Sequence, residues 1–305
     1  MILNLFFIVI GIVLVLWGAD RLTDGAVAVA EKMKMPQIVI GLTIVAMGTS
    51  MPEFCVSLIS ALKGTSDLAV GNIVGSNIFN TLLIVGVSAL VAPMSIMKTT
   101  VRKDIPFALV ASTLLLIMCL DGDISRIDAA ILFVMFLIFM YITLRGAKGT
   151  DVEEKEKKPM ATWLSVVWIL VGLACLIGGS NLFVDGATAV ATKLGVSEAV
   201  IGLTIVAGGT SLPELATSVV SARKGNSGIA IGNVLGSNVF NILAILGLTG
   251  VISPMTLKGI TMTDLSMMVI SIILIWLFSF TKYKIERWEG AILTAVFVGY
   301  IYSLL

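Results

Sequence analysis

Residues 41–53 read GLTIVAMGTSMPE, and residues 202–214 read GLTIVAGGTSLPE. Downstream, GNIVGSNIFN at 71–80 returns as GNVLGSNVFN at 232–241. Every matched pair lies 161 positions apart, and 25 of the 40 positions in 41–80 are identical to their partners in 202–241. The offset also aligns Gly18, Asp24, Gly25 and Lys32 with Gly179, Asp185, Gly186 and Lys193. Each copy places a glutamate, Glu53 or Glu214, inside an apolar run long enough to cross a bilayer. A carboxylate at that depth costs about 2.5 kcal/mol or more, so two of them in matched positions point to a bound ligand.

The chain is 58% hydrophobic and 13% charged, with a mean hydropathy of +1.07 over 305 residues. A soluble domain of this size cannot cover its surface with so little charge. Apolar runs of roughly 20 residues recur, the length a helix needs to span hydrocarbon. Ten spans are expected: 3–30, 37–62, 68–92, 105–120, 128–145, 163–190, 198–222, 228–252, 263–281 and 287–304. The runs lack the alternation of a transmembrane barrel, and helices satisfy their own backbone in lipid. The expected fold is therefore an all-α multi-pass membrane protein. The N-terminal MILNLFFIVI has no basic leader, so an uncleaved first helix is expected.

The segment 146–161 (GAKGTDVEEKEKKPMA) is densely charged and reads as a solvated cytoplasmic linker. It separates a first five-helix repeat, 1–145, from a second, 162–305. An odd number of spans per repeat makes the second enter the membrane from the opposite face, giving two inverted-topology repeats with a site where they meet. Basic residues support that threading. Fifteen Lys and Arg fall in connections on one side and four (Lys63, Arg126, Lys193, Lys258) on the other, with Arg21 inside the first span. The positive-inside rule places the fifteen in the cytoplasm and both termini on the outer side of the cell membrane.

The net charge of +1 gives no basic patch for nucleic acid, and no obligate protein partner is evident beyond the lipid bilayer. Cys55, Cys119 and Cys175 have no metal or disulfide spacing, and the absence of histidine removes the commonest transition-metal ligand. On a helix over 41–62, Ala46, Thr49, Ser50, Glu53, Ser57 and Ser60 share one face. Ala207, Thr210, Ser211, Glu214, Ser218 and Ser221 repeat it. Asn72, Ser76 and Asn80 line a face of the third span, as Asn233, Ser237 and Asn241 do in the eighth. Asn72, Asn77, Asn233 and Asn238 read as bridges between helices, with a ligand role as the lesser alternative. Asp24 and Asp185 read as anchors near helix ends. Pro52 and Pro213 deprive the carbonyls of Gly48 and Gly209 of a donor, so loosened carbonyls are expected beside the glutamates. The sum is a pocket of carboxylate, hydroxyl, amide and carbonyl oxygen without sulfur or imidazole. Such ligands select Ca²⁺, Mg²⁺ or Na⁺, and the irregular set suits Ca²⁺.

GTSMPE and GTSLPE, with GNIVGSNIFN and GNVLGSNVFN, resemble the two alpha repeats of the calcium/cation antiporter superfamily, and within it the prokaryotic sodium/calcium exchangers. The resemblance covers essentially the whole chain. It implies a ten-helix antiporter, not an enzyme, that exchanges Na⁺ for Ca²⁺ with no cofactor beyond the transported ions. By position it implies that Glu53 and Glu214 ligate Ca²⁺ and share Na⁺. Thr49, Thr210, Ala46 and Ala207 would offer carbonyls, Ser50, Ser211, Ser76 and Ser237 hydroxyls, and Asn80 and Asn241 the centre. Some members carry Asp at the place of Asn241; here two amides leave the site with two full charges, which argues against potassium dependence. A Ca²⁺/H⁺ exchanger of the same superfamily is the alternative; a cation channel or membrane enzyme is more distant.

Overall fold

The computed structural model describes residues 2–147, 160–195 and 207–304. It is built from helices. In order they are α1 (Ile2–Lys32), the bent pair α2 (Gln37–Thr49) and α3 (Met51–Leu62), α4 (Ser66–Val91), α5 (Thr100–Asp121) and α6 (Arg126–Gly146). After residues outside the described set come α7 (Thr162–Lys193), then α8 (Ala207–Thr210), α9 (Leu212–Arg223), α10 (Ser227–Ile252), α11 (Met262–Ser279) and α12 (Arg287–Leu304).

Seven of these helices are long and apolar enough to cross a membrane, and the bent pair α2–α3 makes an eighth. The other two of the ten expected spans fall short for identifiable reasons. The run at 198–222 is described only from residue 207 onward. Helix α12 opens with Arg287 and Glu289, which dilute its apolar length. Glu289 caps that helix, its Oε2 accepting from the Glu286 amide at 2.7 Å. The linker expected at 146–161 lies outside the described residues except at its ends.

Burial sorts the helices into a centre and a shell. In α10 the whole membrane-length window is buried, and in α4 72% of it is, against 22% in α1 and in α6. The shell presents Leu3, Phe6, Val13, Leu137, Ile138 and Leu170 outward, which is expected where the solvent is hydrocarbon. Helices α1 and α7 cross antiparallel through small residues. A side-chain carbon at Gly11 would lie 2.7 Å from the Gly179 carbonyl, and one at Gly18 2.7 Å from that of Gly172. Glycine at these positions lets the two backbones touch.

Two strand pairs add to the expected all-helical architecture. Strand β1 (Met94–Ser95) pairs antiparallel with β4 (Lys284–Ile285), and β2 (Asp123–Ile124) with β3 (Met255–Thr256). Adding 161 to β1 gives β3, and adding it to β2 gives β4. The Gly11–Gly179 and Gly18–Gly172 contacts are related in the same way. Each contact thus recurs with its partners exchanged between halves, as a two-fold relation between them requires.

Candidate functional site

The chain turns at the glutamates because proline follows the Gly-Thr-Ser triplet. Pro52 sits in the first turn of α3, where its missing amide is tolerated. Ser50 adopts φ −83° and ψ 11°, outside the helix, and the axis bends by 48° there. Ser211 takes nearly the same angles, φ −89° and ψ 7°, ahead of Pro213. Glu53 and Glu214 therefore stand in the first turns of new helices, just after the point where the backbone is interrupted.

The bends bring the two carboxylates together through serines of opposite halves. Ser50 donates to Glu214 Oε1 at 2.8 Å, and Ser211 donates to Glu53 Oε1 at 3.1 Å. Ser211 Oγ also lies 3.3 Å from Ser76 Oγ. Behind each glutamate an asparagine braces the helix. Asn72 donates to the Glu53 carbonyl at 3.2 Å and to Ser57 at 2.9 Å. Asn233 donates to the Glu214 carbonyl at 3.2 Å and to Ser218 at 3.0 Å. Thr49 donates to Asn233 Oδ1 at 3.0 Å. Glu53 and Glu214 are at most 1% exposed, and Asn80, Asn241, Ser237, Ser50 and Ser211 are buried with them.

Four oxygens in this cluster are buried without a hydrogen-bond partner: Glu53 Oε2, Glu214 Oε2, Asn80 Oδ1 and Asn241 Oδ1. They form two symmetry-matched pairs, and Ser237 Oγ joins them. Buried polar atoms are ordinarily bonded, and unpaired carboxylate oxygens are the most costly to leave so. Among the described residues no group of three or more His, Cys, Asp or Glu is arranged to hold a metal ion. The available donors are thus two carboxylates and neutral oxygens, a set suited to a hard cation of group 1 or 2.

The twelve residues picked from the sequence do not all stand alike. Ten of them lie on the segments that converge here: eight in α2, α3, α4, α9 and α10, and Ser50 and Ser211 at the turns ahead of α3 and α9. Thr210 is only half-buried. Ala207 opens α8, and its side chain falls outside the described set. The carbonyl of Ala46, an ion ligand by the resemblance, accepts from the Ser50 amide at 3.0 Å and lies 3.3 Å from the Thr49 hydroxyl. The Gly209 carbonyl, stripped of its donor by Pro213, is taken by the hydroxyl of Ser180 on α7. A hydroxyl from another helix relieves the proline defect, and the repeat holds no trace of that contact because Ser180 aligns with Ala19 in the first half. The sequence reading also missed the π-helical turns at Gly41–Val45, Phe79–Ile84 and Phe240–Leu246. Two of them carry Asn80 and Asn241, and such turns are frequent at functional sites.

Comparison with known proteins follows the same lines. The family model described as "Sodium/calcium exchanger protein" matches residues 3–145 and 164–305. The chain is 39% identical to the "Putative antiporter CaxA" of Alkalimonas amylolytica, covering 100% of this chain and 99% of that one. It is 30% identical to the "Sodium/calcium exchanger MaX1" of Methanosarcina acetivorans, covering 99% and 98%. The solved structure of the sodium-calcium exchanger NCX_Mj soaked with zero Na⁺ and Ca²⁺ superposes with a TM-score of 0.89 at 31% identity, covering 100% of this chain and 99% of that one. From its duplicated Pro-Glu bends to its overall fold, the chain belongs to the sodium/calcium exchanger family, within the prokaryotic exchangers of the calcium/cation antiporter superfamily.

Proposed function

We propose that this chain exchanges Na⁺ for Ca²⁺ across the cell membrane by alternating access, electrogenically, with Glu53 and Glu214 holding the transported ions. The observation that carries the reading is the set of four buried oxygens without a hydrogen-bond partner, Oε2 of Glu53 and Glu214 and Oδ1 of Asn80 and Asn241, on segments of the two halves that pack against each other, α9 on 79–84 and α3 on 240–246. Two full negative charges there repel, and carrying them bare across the bilayer is costly. One Ca²⁺ cancels both. Three Na⁺, distributed over the carboxylates, the serine hydroxyls and neighbouring carbonyls, cancel both and leave one positive charge. A protein that changes its open side only when the pocket is filled couples the two fluxes. A three-for-one exchange then moves one net charge per cycle, worth about 2.3 kcal/mol per 100 mV.

In this reading the membrane holds ten helices, five in 1–145 and five in 162–305, joined by a cytoplasmic linker at 146–161. The halves lie opposite ways up, with both termini outside. The antiparallel crossing of α1 and α7 and the exchange of partners between halves support that arrangement. Residues Thr49, Thr210, Ser50, Ser211, Ser76, Ser237, Ala46 and Ala207 complete the ion shell, Ala46 by the second lone pair of its carbonyl.

The test is ⁴⁵Ca²⁺ uptake into proteoliposomes with an outward Na⁺ gradient. Uptake that needs internal Na⁺ and is accompanied by current is expected. Uptake driven by a pH gradient without Na⁺ would assign the chain to cation/proton exchange instead, and Ca²⁺ flux without current would reject the three-for-one ratio.

A further inference from the structure

An amide has two ends, and only one suits a cation. If Asn80 and Asn241 offer Oδ1 to a metal ion, something must stop each group from turning its NH₂ inward, since the terminal torsion of asparagine is soft and roughly two-fold. In both cases that something is an asparagine of the opposite half. Asn80 Nδ2 donates to Asn238 Oδ1 at 3.2 Å, and Asn241 Nδ2 donates to Asn77 Oδ1 at 3.1 Å. Both holders are 0% exposed.

The holders are themselves oriented by a one-way chain of donors. Thr81 gives its hydroxyl proton to the Asn77 carbonyl at 2.7 Å, leaving its lone pairs for Asn238 Nδ2, also at 2.7 Å. Asn238 therefore turns Oδ1 toward Asn80. Asn77 Nδ2 donates to the Asn238 carbonyl at 3.3 Å, with Met268 Sδ at 3.9 Å, which turns its Oδ1 toward Asn241. The far ends of both chains are the unbonded Oδ1 atoms of Asn80 and Asn241. The arrangement is not fully two-fold, because Thr81 aligns with Ile242.

We propose that Asn77 and Asn238 are positioning residues that lock the carboxamides of Asn80 and Asn241 with oxygen toward the transported cation, each acting across the interface between halves. The proposal rests on the exchanger reading, which makes that centre the cation site. Neither residue touches the ion; each acts through the ligand of the other repeat.

The test uses the purified full-length protein in detergent, with Ca²⁺ binding measured by calorimetry and ⁴⁵Ca²⁺ uptake measured after reconstitution. N77A and N238A are expected to weaken Ca²⁺ binding about 10–100-fold, as loss of a partner behind a metal ligand does. The decisive readout is dependence on the partner. N77A should add nothing when placed on N241A, yet keep its full effect on N80A; N238A should show the reverse pattern. N77D retains an acceptor for Asn241 Nδ2 and should recover most of what N77A loses. T81V, which frees Asn238, should weaken binding about threefold, and only while Asn80 is present; it carries the test if N77A fails to fold. Wild-type affinity in a monodisperse N77A, or effects of N77A and N241A that simply add, would overturn the proposal. A wild-type protein that binds no Ca²⁺ would instead remove the exchanger reading beneath it.

Discussion

The two halves are copies at their centre and strangers at one end of their first helices. At the centre, Ser50 serves Glu214 as Ser211 serves Glu53. Toward the end of α1, Lys224 pairs with Asp20 at 2.5 Å and Asp24 at 2.7 Å, while Arg21 adds a contact to Asp24 and stacks 5.2 Å over Trp168. This cluster ties α1 to the C-terminal end of α9, the helix with Glu214 in its first turn. Its counterpart would join α7 to α3. There Asp20 becomes Asn181, Arg21 becomes Leu182 and Trp168 corresponds to Phe7, leaving Asp185 and Lys63. Both are exposed, and they form no ion pair with each other. A shared centre is what a single cargo demands of both repeats. The helix ends carry no such demand, so they are free to diverge, and their divergence means the arrangements reached by exchanging the halves' roles differ in energy.

The strongest way to break the comparison is at the carboxylates. E53Q and E214Q should each abolish ⁴⁵Ca²⁺ uptake, a fall of at least about 100-fold, because cation affinity follows the charge count of the ligands. Retention of uptake by either one would show the halves to be functionally unequal at the centre. S50A and S211A each remove the donor to the opposite carboxylate and should raise the half-saturating Ca²⁺ concentration about tenfold. Their effects should match to within a few-fold, and a large mismatch would break the two-fold picture where the geometry is most alike.

Packing gives a smaller, purely structural effect. G11A and G18A insert a methyl where the α1–α7 backbones touch, and should lower thermal stability by about 1–3 kcal/mol, read as a melting shift in detergent. The smallest effect sharpens the contrast at the helix ends. K224A removes a partly exposed cluster and should cost under about 1 kcal/mol. That loss should fade with added salt, while K63A changes nothing. Equal responses from K224A and K63A would erase the difference.

The all-helical membrane fold and the bends that carry the candidate residues were readable because each leaves a mark on composition or spacing. Apolar length reported eight of the ten expected spans, Pro52 and Pro213 reported the bends, and the 161-residue offset reported the duplication. Asp24 was readable as an anchor, though its partner Lys224 was not, since they lie 200 residues apart. What escaped the sequence is set by contact across the interface. Ser180 on the Gly209 carbonyl, Asn77 behind Asn241 and Thr81 behind Asn238 each need a neighbour that spacing along one helix cannot reveal. The π-helical turns escaped for a different reason: a widened turn shifts the faces of the residues after it, but a segment such as Phe240–Leu246, buried all round, has no apolar–polar periodicity in which that shift would show.

The strand pairs bear on how the chain is made. Ser95 pairs with Lys284, and Met94 with Ile285, so this corner of the first repeat waits for nearly the entire remaining chain to leave the ribosome. At about 5–20 residues per second, that delay is roughly 10–40 s. The early helices must persist through the interval with one loop unfinished, and the last turn to be synthesised before α12 closes it. Translation order thus makes the second repeat the template on which the first one is completed.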